Sequence, residues 1–225
     1  MTSIEQLHGC IIHNPEWLDW ARTVSSYTAK DDVKFGCDHG IKHWLSVASL
    51  ASDFARKTSA SEREIALADI AGLLHDCGMI CGEKNHAANG ASIARSFLRS
   101  RWLNDPLTNY EIEQICHAIA QHSSYSEIDN IIDAAIIMAD KIDIACHRLV
   151  SINNEIQVCV SQIRSINYEI TDDVLALYYT VDPDFRTYFF LTNWRKAYEA
   201  PAKIATWLGR SLCFFVNNQR IILPE

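Results

Sequence analysis

Several features that mark other protein classes are missing from this chain of 225 residues. No stretch approaches the roughly 20 apolar residues of a membrane-spanning helix, and residues 1–10 lack the basic-then-apolar pattern of a secretory signal. The chain has fewer basic than acidic residues, with 20 lysines and arginines against 28 aspartates and glutamates, so its net charge is −8. That balance argues against a sequence-independent grip on nucleic acid. We expect a cytoplasmic protein without a membrane or specific nucleic-acid partner, and a homo-oligomer is compatible with the sequence.

Paired cysteine motifs are also missing. Eight cysteines are scattered along the chain and no CxxC pair occurs. Without an export signal they are expected to be reduced thiols, mostly small core residues. Cys77 and Cys81 lie close to a His-Asp pair and thiolates bind zinc well, so a cysteine ligand remains an unfavoured alternative.

The first two thirds of the chain show helical periodicity, which predicts a mainly α fold. Apolar stripes predict helices at residues 41–55, 61–75, 86–98, 108–122 and 128–150. Ser61 and Thr108 each begin a capping-box signature with a glutamate three residues later. Residues 1–36 are predicted to be a helical lead-in, with Pro15 at a helix start, and residues 37–159 the helical core.

The pattern changes near residue 160, where a small α+β module is predicted to occupy residues 160–225. Alternating, β-branched segments predict strands at residues 163–170, 174–181 and 186–191. A helix at residues 194–208 is predicted to end at Gly209. Two further strands flank Asn217 and Asn218, a dipeptide that favours a hairpin turn.

Histidines and aspartates recur at the ends of the predicted helices. His75 and Asp76 close the second helix, His86 opens the third, and His122 closes the fourth. His43 lies in the first helix, with His39 as its rival because residues four apart share a helix face. Asp140 stands within an apolar helix, where an unpaired carboxylate costs several kcal/mol. Imidazole and carboxylate donors suit iron, manganese, zinc or cobalt, so the pattern predicts a metal site.

These residues resemble the HD-domain superfamily of metal-dependent phosphohydrolases over roughly residues 38–150. The matching segments are His-Trp-Leu-Ser-Val-Ala from His43, Leu-Leu-His-Asp-Cys-Gly around His75 and Asp76, and Ala-Asp-Lys around Asp140. His86 and His122 are similar to the two extra histidines of the dinuclear branch. The resemblance implies an HD-domain helical bundle carrying a small C-terminal α+β appendage.

The resemblance also implies roles for individual residues. His43, His75, Asp76 and Asp140 would hold one metal ion, while His86 and His122 would complete a second across a bridging Asp76. Two ions, iron or manganese with zinc, cobalt, nickel or magnesium as alternatives, would share the hydroxide that attacks phosphorus. The cations expected near substrate phosphates are Lys84, Lys141 and Arg148, with Lys84 and Lys141 acting in catalysis beside Asp76. His39 would be a further substrate contact.

The expected substrate is a phosphate ester or anhydride, with a nucleotide as the favoured class. Met79 and Ile80 stand where guanosine tetraphosphate hydrolases have a Glu-Asp pair, and no Gly-Tyr-Pro motif of cyclic di-GMP hydrolases occurs. Two other interpretations stay open. The same ligand order occurs in mixed-valence di-iron oxygenases, and a metal-binding sensor without turnover would signal through residues 160–225.

Overall fold

The computed structural model describes residues 4–31, 36–101 and 107–224. Residues 1–3 and 32–35 of the predicted lead-in therefore lie outside the described part. The chain forms two compact units, one made by Met1–Tyr27 and His39–Ala139 and the other by Thr28–Asp38 and Asp140–Glu225. None of the described helices is by itself long and apolar enough to cross a membrane, and one bent pair, Glu62–Cys81 with His86–Ser100, meets that test only when its two arms are combined.

The first unit is helical, as the sequence predicts. Its helices are α1 (Ile4–Ile12), α2 (Pro15–Asp31), α3 (Ile41–Lys57), α4 (Glu62–Leu74), α5 (His86–Arg101), α6 (Asn109–Gln121) and α7 (Ile131–Ile142). A 3-10 helix, Cys77–Cys81, follows α4. The last three residues of α7, 140–142, are counted with the second unit. Pro15 is the first residue of α2, as predicted.

Both predicted capping boxes are confirmed, and they fix where two ligand-bearing helices begin. The Ser61 hydroxyl accepts from the Glu64 backbone N–H at 3.3 Å, and the Glu64 carboxylate accepts from the Ser61 N–H at 2.8 Å. Thr108 and Glu111 repeat the exchange at 3.2 and 2.7 Å before α6. Each box satisfies backbone donors that a helix start leaves unpaired.

Close helix packing surrounds the C-terminal end of α4. A Cβ added to Gly72 would stand 2.5 Å from the Cα of Ala48, so α3 and α4 approach at backbone distance. Trp17 and Trp44, both fully buried, meet edge to face with ring centroids 5.6 Å apart. The indole N–H of Trp17 donates to the Leu73 carbonyl at 2.7 Å. These contacts hold the last turn of α4, from which the His-Asp pair follows.

Beyond residue 150, the described residues of the second unit form three α-helices and a four-stranded sheet. Its elements are α8 (Glu155–Ser161), β1 (Ile163–Ile170), β2 (Val174–Val181), α9 (Thr187–Asn193), α10 (Lys196–Trp207), β3 (Ser211–Val216) and β4 (Gln219–Arg220). The sheet order is β1-β2-β3-β4, with β2 antiparallel to β1 and parallel to β3. Asn217 and Asn218 have φ of 47° and 65°, which suits the predicted two-residue hairpin between β3 and β4.

The predicted strand at residues 186–191 is wrong, because this segment forms α9. Its aromatic residues favour a strand by propensity, but that preference depends strongly on context. As a helix the segment places Phe190 against Trp194, four residues on, with centroids 5.4 Å apart. It also sets the Arg186 guanidinium 4.1 Å from the Phe189 ring centroid. Contacts at a spacing of three and four residues are made by helices.

The helix predicted at residues 128–150 is shorter than expected. α7 ends at Ile142, and a separate 3-10 helix, Cys146–Arg148, follows it. Buried Arg148 donates from Nη1 to the Asp143 carbonyl at 2.6 Å. This side-chain bond satisfies a carbonyl just beyond α7, so the chain turns there although its apolar composition continues.

Candidate metal centre

Asp76 lies at the centre of a histidine cluster in the first unit. α4 ends at Leu74, so His75 and Asp76 project from the first turn beyond it. The Oδ2 atom of Asp76 faces three imidazoles: His39 Nδ1 at 3.0 Å, His43 Nε2 at 3.6 Å and His75 Nε2 at 3.4 Å. The Oδ1 atom faces His122 Nε2 at 3.3 Å and His86 Nε2 at 3.5 Å. The two oxygens thus face different histidines.

Three of these histidines share one orienting hydrogen bond. In each, Nδ1 lies within 2.6–2.8 Å of a backbone carbonyl three residues earlier: Gly72 for His75, Glu83 for His86 and Ile119 for His122. A carbonyl only accepts, so Nδ1 carries the proton and the neutral ring presents its lone pair at Nε2. Metal-binding histidines are oriented by the same kind of bond.

Pairs of Nε2 atoms point at each other across the cluster. His43 and His75 are 3.1 Å apart at Nε2, and so are His86 and His122. In the second pair both lone pairs face inward, which is repulsive unless a cation lies between them. Donors about 2.1 Å from one ion stand roughly 3.0 Å apart when they subtend a right angle. Each pair also faces an Asp76 oxygen, which gives two sets of two imidazole nitrogens and one carboxylate oxygen, donors that divalent transition metals use.

The electrostatics of Asp76 agree with a charged ligand. Its carboxyl group is buried, and burial alone would raise the pKa. When these imidazoles take up a second proton at Nε2, the charge of His75 and hydrogen bonds from His122, His39 and His75 outweigh that effect and hold the pKa of Asp76 well below its usual range. Asp76 is therefore ionised at neutral pH.

Burial is uneven around the cluster. The side chains of His43 and His75 are fully buried and that of His122 is 2% exposed, whereas His39 and His86 keep 27% and 17% of their surfaces. His39 and His86 therefore line the side that faces solvent.

Two glycines bring His86 to the cluster. A Cβ on Gly78 would lie 2.0 Å from the His86 carbonyl oxygen and 2.3 Å from the Gly90 nitrogen. The 3-10 helix after Asp76 therefore packs directly on the backbone of the first turns of α5. Gly90 itself lies near the His75 carbonyl, with its own Cβ position 3.2 Å away. Because glycine has no side chain at either position, the start of α5 can pack close enough for His86 to reach Asp76.

Asp140 and Lys141 lie in the last turn of α7 and belong to the second unit. They form an ion pair with each other, and the Lys141 side chain is only 7% exposed. Asp140 is half-buried, as a polar residue late in an apolar helix would be. The ligand role of Asp140 and the phosphate-binding role of Lys141 stay predictions.

The other two predicted cations differ sharply in environment. Lys84 is exposed in the turn between the 3-10 helix and α5, two residues before His86. Arg148 is buried in the second unit and donates to the backbone carbonyls of Asp38 and Asp143 at 2.6 Å each. Much of its donor capacity therefore serves the backbone, and its substrate role stays a prediction.

A known family matches the part of the chain that contains these histidines. The family model for the HD domain matches residues 40–145. This segment is an HD domain. It contains His43, His75, Asp76, His86 and His122, and the matching residues extend past Asp140. HD domains bind divalent metals, and the buried histidine–aspartate clusters of this segment are compatible with such ions.

Similarity to other proteins is more limited. A crystal structure of a predicted HD superfamily hydrolase from an uncultured Thermotogales bacterium is 23% identical, covers 64% of this chain and 75% of its own, and has a TM-score of 0.43. The comparison with curated proteins gave no match.

The sequence did not reveal the groups that orient the HD-domain histidines. The acceptors for His75, His86 and His122 are backbone carbonyls, which carry no residue-type signal. Their common spacing of three residues is a pattern that helix geometry could have suggested. From the sequence alone, Gly78 and Gly90 could be interpreted only as residues that break a helix or allow unusual backbone conformations. Their importance comes from the close backbone contacts that they allow in the fold.

Proposed function

We propose that the HD domain is a phosphohydrolase that cleaves a phosphate ester or anhydride, with a nucleotide as substrate. The observation that carries this proposal is that the two carboxylate oxygens of Asp76 face different histidines. Oδ2 faces His43 and His75, and Oδ1 faces His86 and His122. A carboxylate placed in this way suits a bridge between two cations.

The donor set supports divalent transition metals. His43, His75 and Asp76 would hold one ion, with Asp140 as the fourth ligand implied by the family resemblance. His86, His122 and Asp76 would hold the other. Nitrogen and carboxylate donors suit iron or manganese, with zinc, cobalt, nickel and magnesium as alternatives. When bound, such ions act as Lewis acids that lower the pKa of water and stabilise charge on phosphoryl oxygens.

The residues of the chain itself contribute position and charge. The buried carboxylate of Asp76 stays ionised, and the carbonyl bonds hold three imidazoles in one tautomer. His39 borders the solvent-facing side and accepts or donates a proton at the ring nitrogen opposite Nδ1. Lys84, exposed in the turn before His86, is proposed to contact substrate phosphate, as is Lys141.

Phosphate release from purified protein tests this proposal. Wild-type protein loaded with manganese or iron is assayed on a panel of nucleoside mono-, di- and triphosphates and dinucleoside polyphosphates. His86→Asn is expected to lower kcat at least 100-fold, because the ligand pair with His122 is lost. Exposed His13, in the same unit, gives the matched control His13→Asn, which is expected to leave turnover unchanged.

Other outcomes would redirect the assignment. Dioxygen consumption by the iron-loaded protein without phosphate release from any substrate would contradict hydrolysis and favour the oxygenase alternative. Metal-dependent stabilisation of the fold without turnover of either kind would favour the sensor. Equal phosphate release by wild type and His86→Asn would remove the site assignment.

A further inference from the structure

A second histidine–carboxylate cluster lies where α6 is followed by the loop to α7. Its members are His117 on α6, Glu127 and Asp129 in the loop, and Asp133 in the first turn of α7. All four belong to the first unit. His117 and His122 are five residues apart, about 140° round the helix, so His117 faces away from the HD-domain histidine pair.

The His117 imidazole is oriented by a fully buried carboxylate. Asp133 is 0% exposed, and its Oδ1 lies 3.0 Å from His117 Nδ1. The other oxygen accepts from the backbone N–H groups of Asp129 at 2.9 Å and Asn130 at 3.3 Å. Asn130 in turn caps α7 by accepting from the Ile132 N–H at 2.9 Å. Asp133 therefore fixes both the ring and the loop that passes it.

This arrangement aims His117 Nε2 at two carboxylates. Nε2 is 3.5 Å from Asp129 Oδ2 and 3.9 Å from Glu127 Oε2. Donors bound to one tetrahedral ion at about 2.1 Å stand roughly 3.4 Å apart, which is close to both distances from Nε2, and all three donor atoms lie within 4.8 Å of one another. A carboxylate that holds the far nitrogen of a ligand histidine is a recurrent support of metal sites.

The local charge also calls for a cation. Three carboxylates surround one imidazole, and within the described part of the chain no lysine or arginine forms an ion pair with Glu127 or Asp129. The cluster therefore has more negative than positive charge, which a divalent cation would offset.

We propose that His117, Glu127 and Asp129 form a binding site for a divalent transition metal, held in shape by Asp133 and separate from the centre around Asp76. One imidazole with two carboxylates suits zinc, cobalt or manganese better than calcium or magnesium, which prefer all-oxygen sites. The exposed carboxylates leave space for water ligands. A bound ion would cross-link the loop to α6 just beyond His122, and this inference does not depend on the proposed hydrolase activity.

Zinc titration of the full chain by calorimetry tests the proposal. The variant Glu127→Gln/Asp129→Asn and the variant His117→Asn are each expected to bind one Zn²⁺ fewer per chain than wild type. Both carboxylates are about two-thirds exposed, so the double variant is expected to fold. Asp133 is kept because it accepts from the backbone N–H groups of Asp129 and Asn130 and so fixes the loop before α7.

A charge-matched control separates a built site from general attraction of cations. Asp172→Asn/Asp173→Asn removes two exposed carboxylates elsewhere and is expected to keep the wild-type stoichiometry. An anomalous zinc peak within bonding distance of His117 Nε2 would support the site directly. Unchanged stoichiometry in the double variant, or an equal loss in the control, would overturn the proposal.

Discussion

Replacing Gly78 with alanine tests how the backbone assembles the HD-domain centre. The added Cβ would lie 2.0 Å from the His86 carbonyl oxygen, whereas real Cβ atoms essentially never come within 3.0 Å. Relief of this clash needs a separation of 3.0 − 2.0, or about 1 Å, between the 3-10 helix and the start of α5. The atoms that the new Cβ would meet, the His86 carbonyl oxygen and the Gly90 nitrogen, both belong to the backbone. Rotation of a side chain therefore cannot relieve the clash.

The expected effects follow from that displacement. Overpacking of this size costs typically about 1–3 kcal/mol of unfolding free energy, which corresponds to a fall in Tm of roughly 2–12 °C for a chain of this length. His86 Nε2 now lies 3.5 Å from Asp76 Oδ1, so a 1 Å shift spoils the ligand pair. We expect metal affinity to fall about 10–100-fold, the range seen when groups supporting ligands are disturbed.

Calorimetric metal titration and thermal unfolding measure both effects. A Cβ added to Gly9, in α1, would meet no atom of the described residues within 4 Å. Gly9→Ala is therefore the matched control and should keep metal affinity while stabilising the helix by up to about 1 kcal/mol. Wild-type metal affinity in a folded Gly78→Ala protein would refute the reasoning.

Two further predictions concern the helices that hold the site. The Arg63 guanidinium donates two hydrogen bonds to the Glu111 carboxylate, at 2.5 and 2.8 Å. This contact lowers the pKa of Glu111 from 4.5 to about 2. The stabilisation of the fold by the ionised carboxylate is therefore present above pH 4.5 and is lost as the pH falls towards 2. Arg63→Ala should therefore flatten the acid limb of the stability curve and lower stability at pH 7 by about 1 kcal/mol, and an unchanged acid limb in urea unfolding would contradict this. Trp17→Phe removes the 2.7 Å bond to the Leu73 carbonyl and should cost about 1–3 kcal/mol; a loss below about 0.5 kcal/mol in the same assay would show that the bond does not hold α4.

Local signals predicted much of the fold. The capping boxes at Ser61 and Thr108 located two helix starts because they are short-range chemistry readable from four residues. Alternation likewise predicted β1 and β2, and the Asn217-Asn218 dipeptide predicted the turn between β3 and β4. Residues 186–191 were mistaken for a strand because the contact of Phe190 with Trp194 is visible only once the segment is folded.

The candidate site was predictable in residue type and order but not in arrangement. His75, Asp76, His86 and His122 stand out as polar residues at helix ends, and four of the five helices carrying predicted ligands begin close to where periodicity places them. The sequence could not say that the two oxygens of Asp76 face different histidines, because that depends on the turn after α4. Nor could it reveal Gly78, whose importance comes from a backbone contact with a distant segment.

The most direct test of the central claim is an anomalous-scattering map from crystals of the full chain saturated with manganese or zinc. We predict two peaks beside Asp76, one within about 2.0–2.3 Å of Nε2 of His43 and His75 and the other equally close to Nε2 of His86 and His122. A map with ordered side chains but no peak at these four nitrogens would contradict the account.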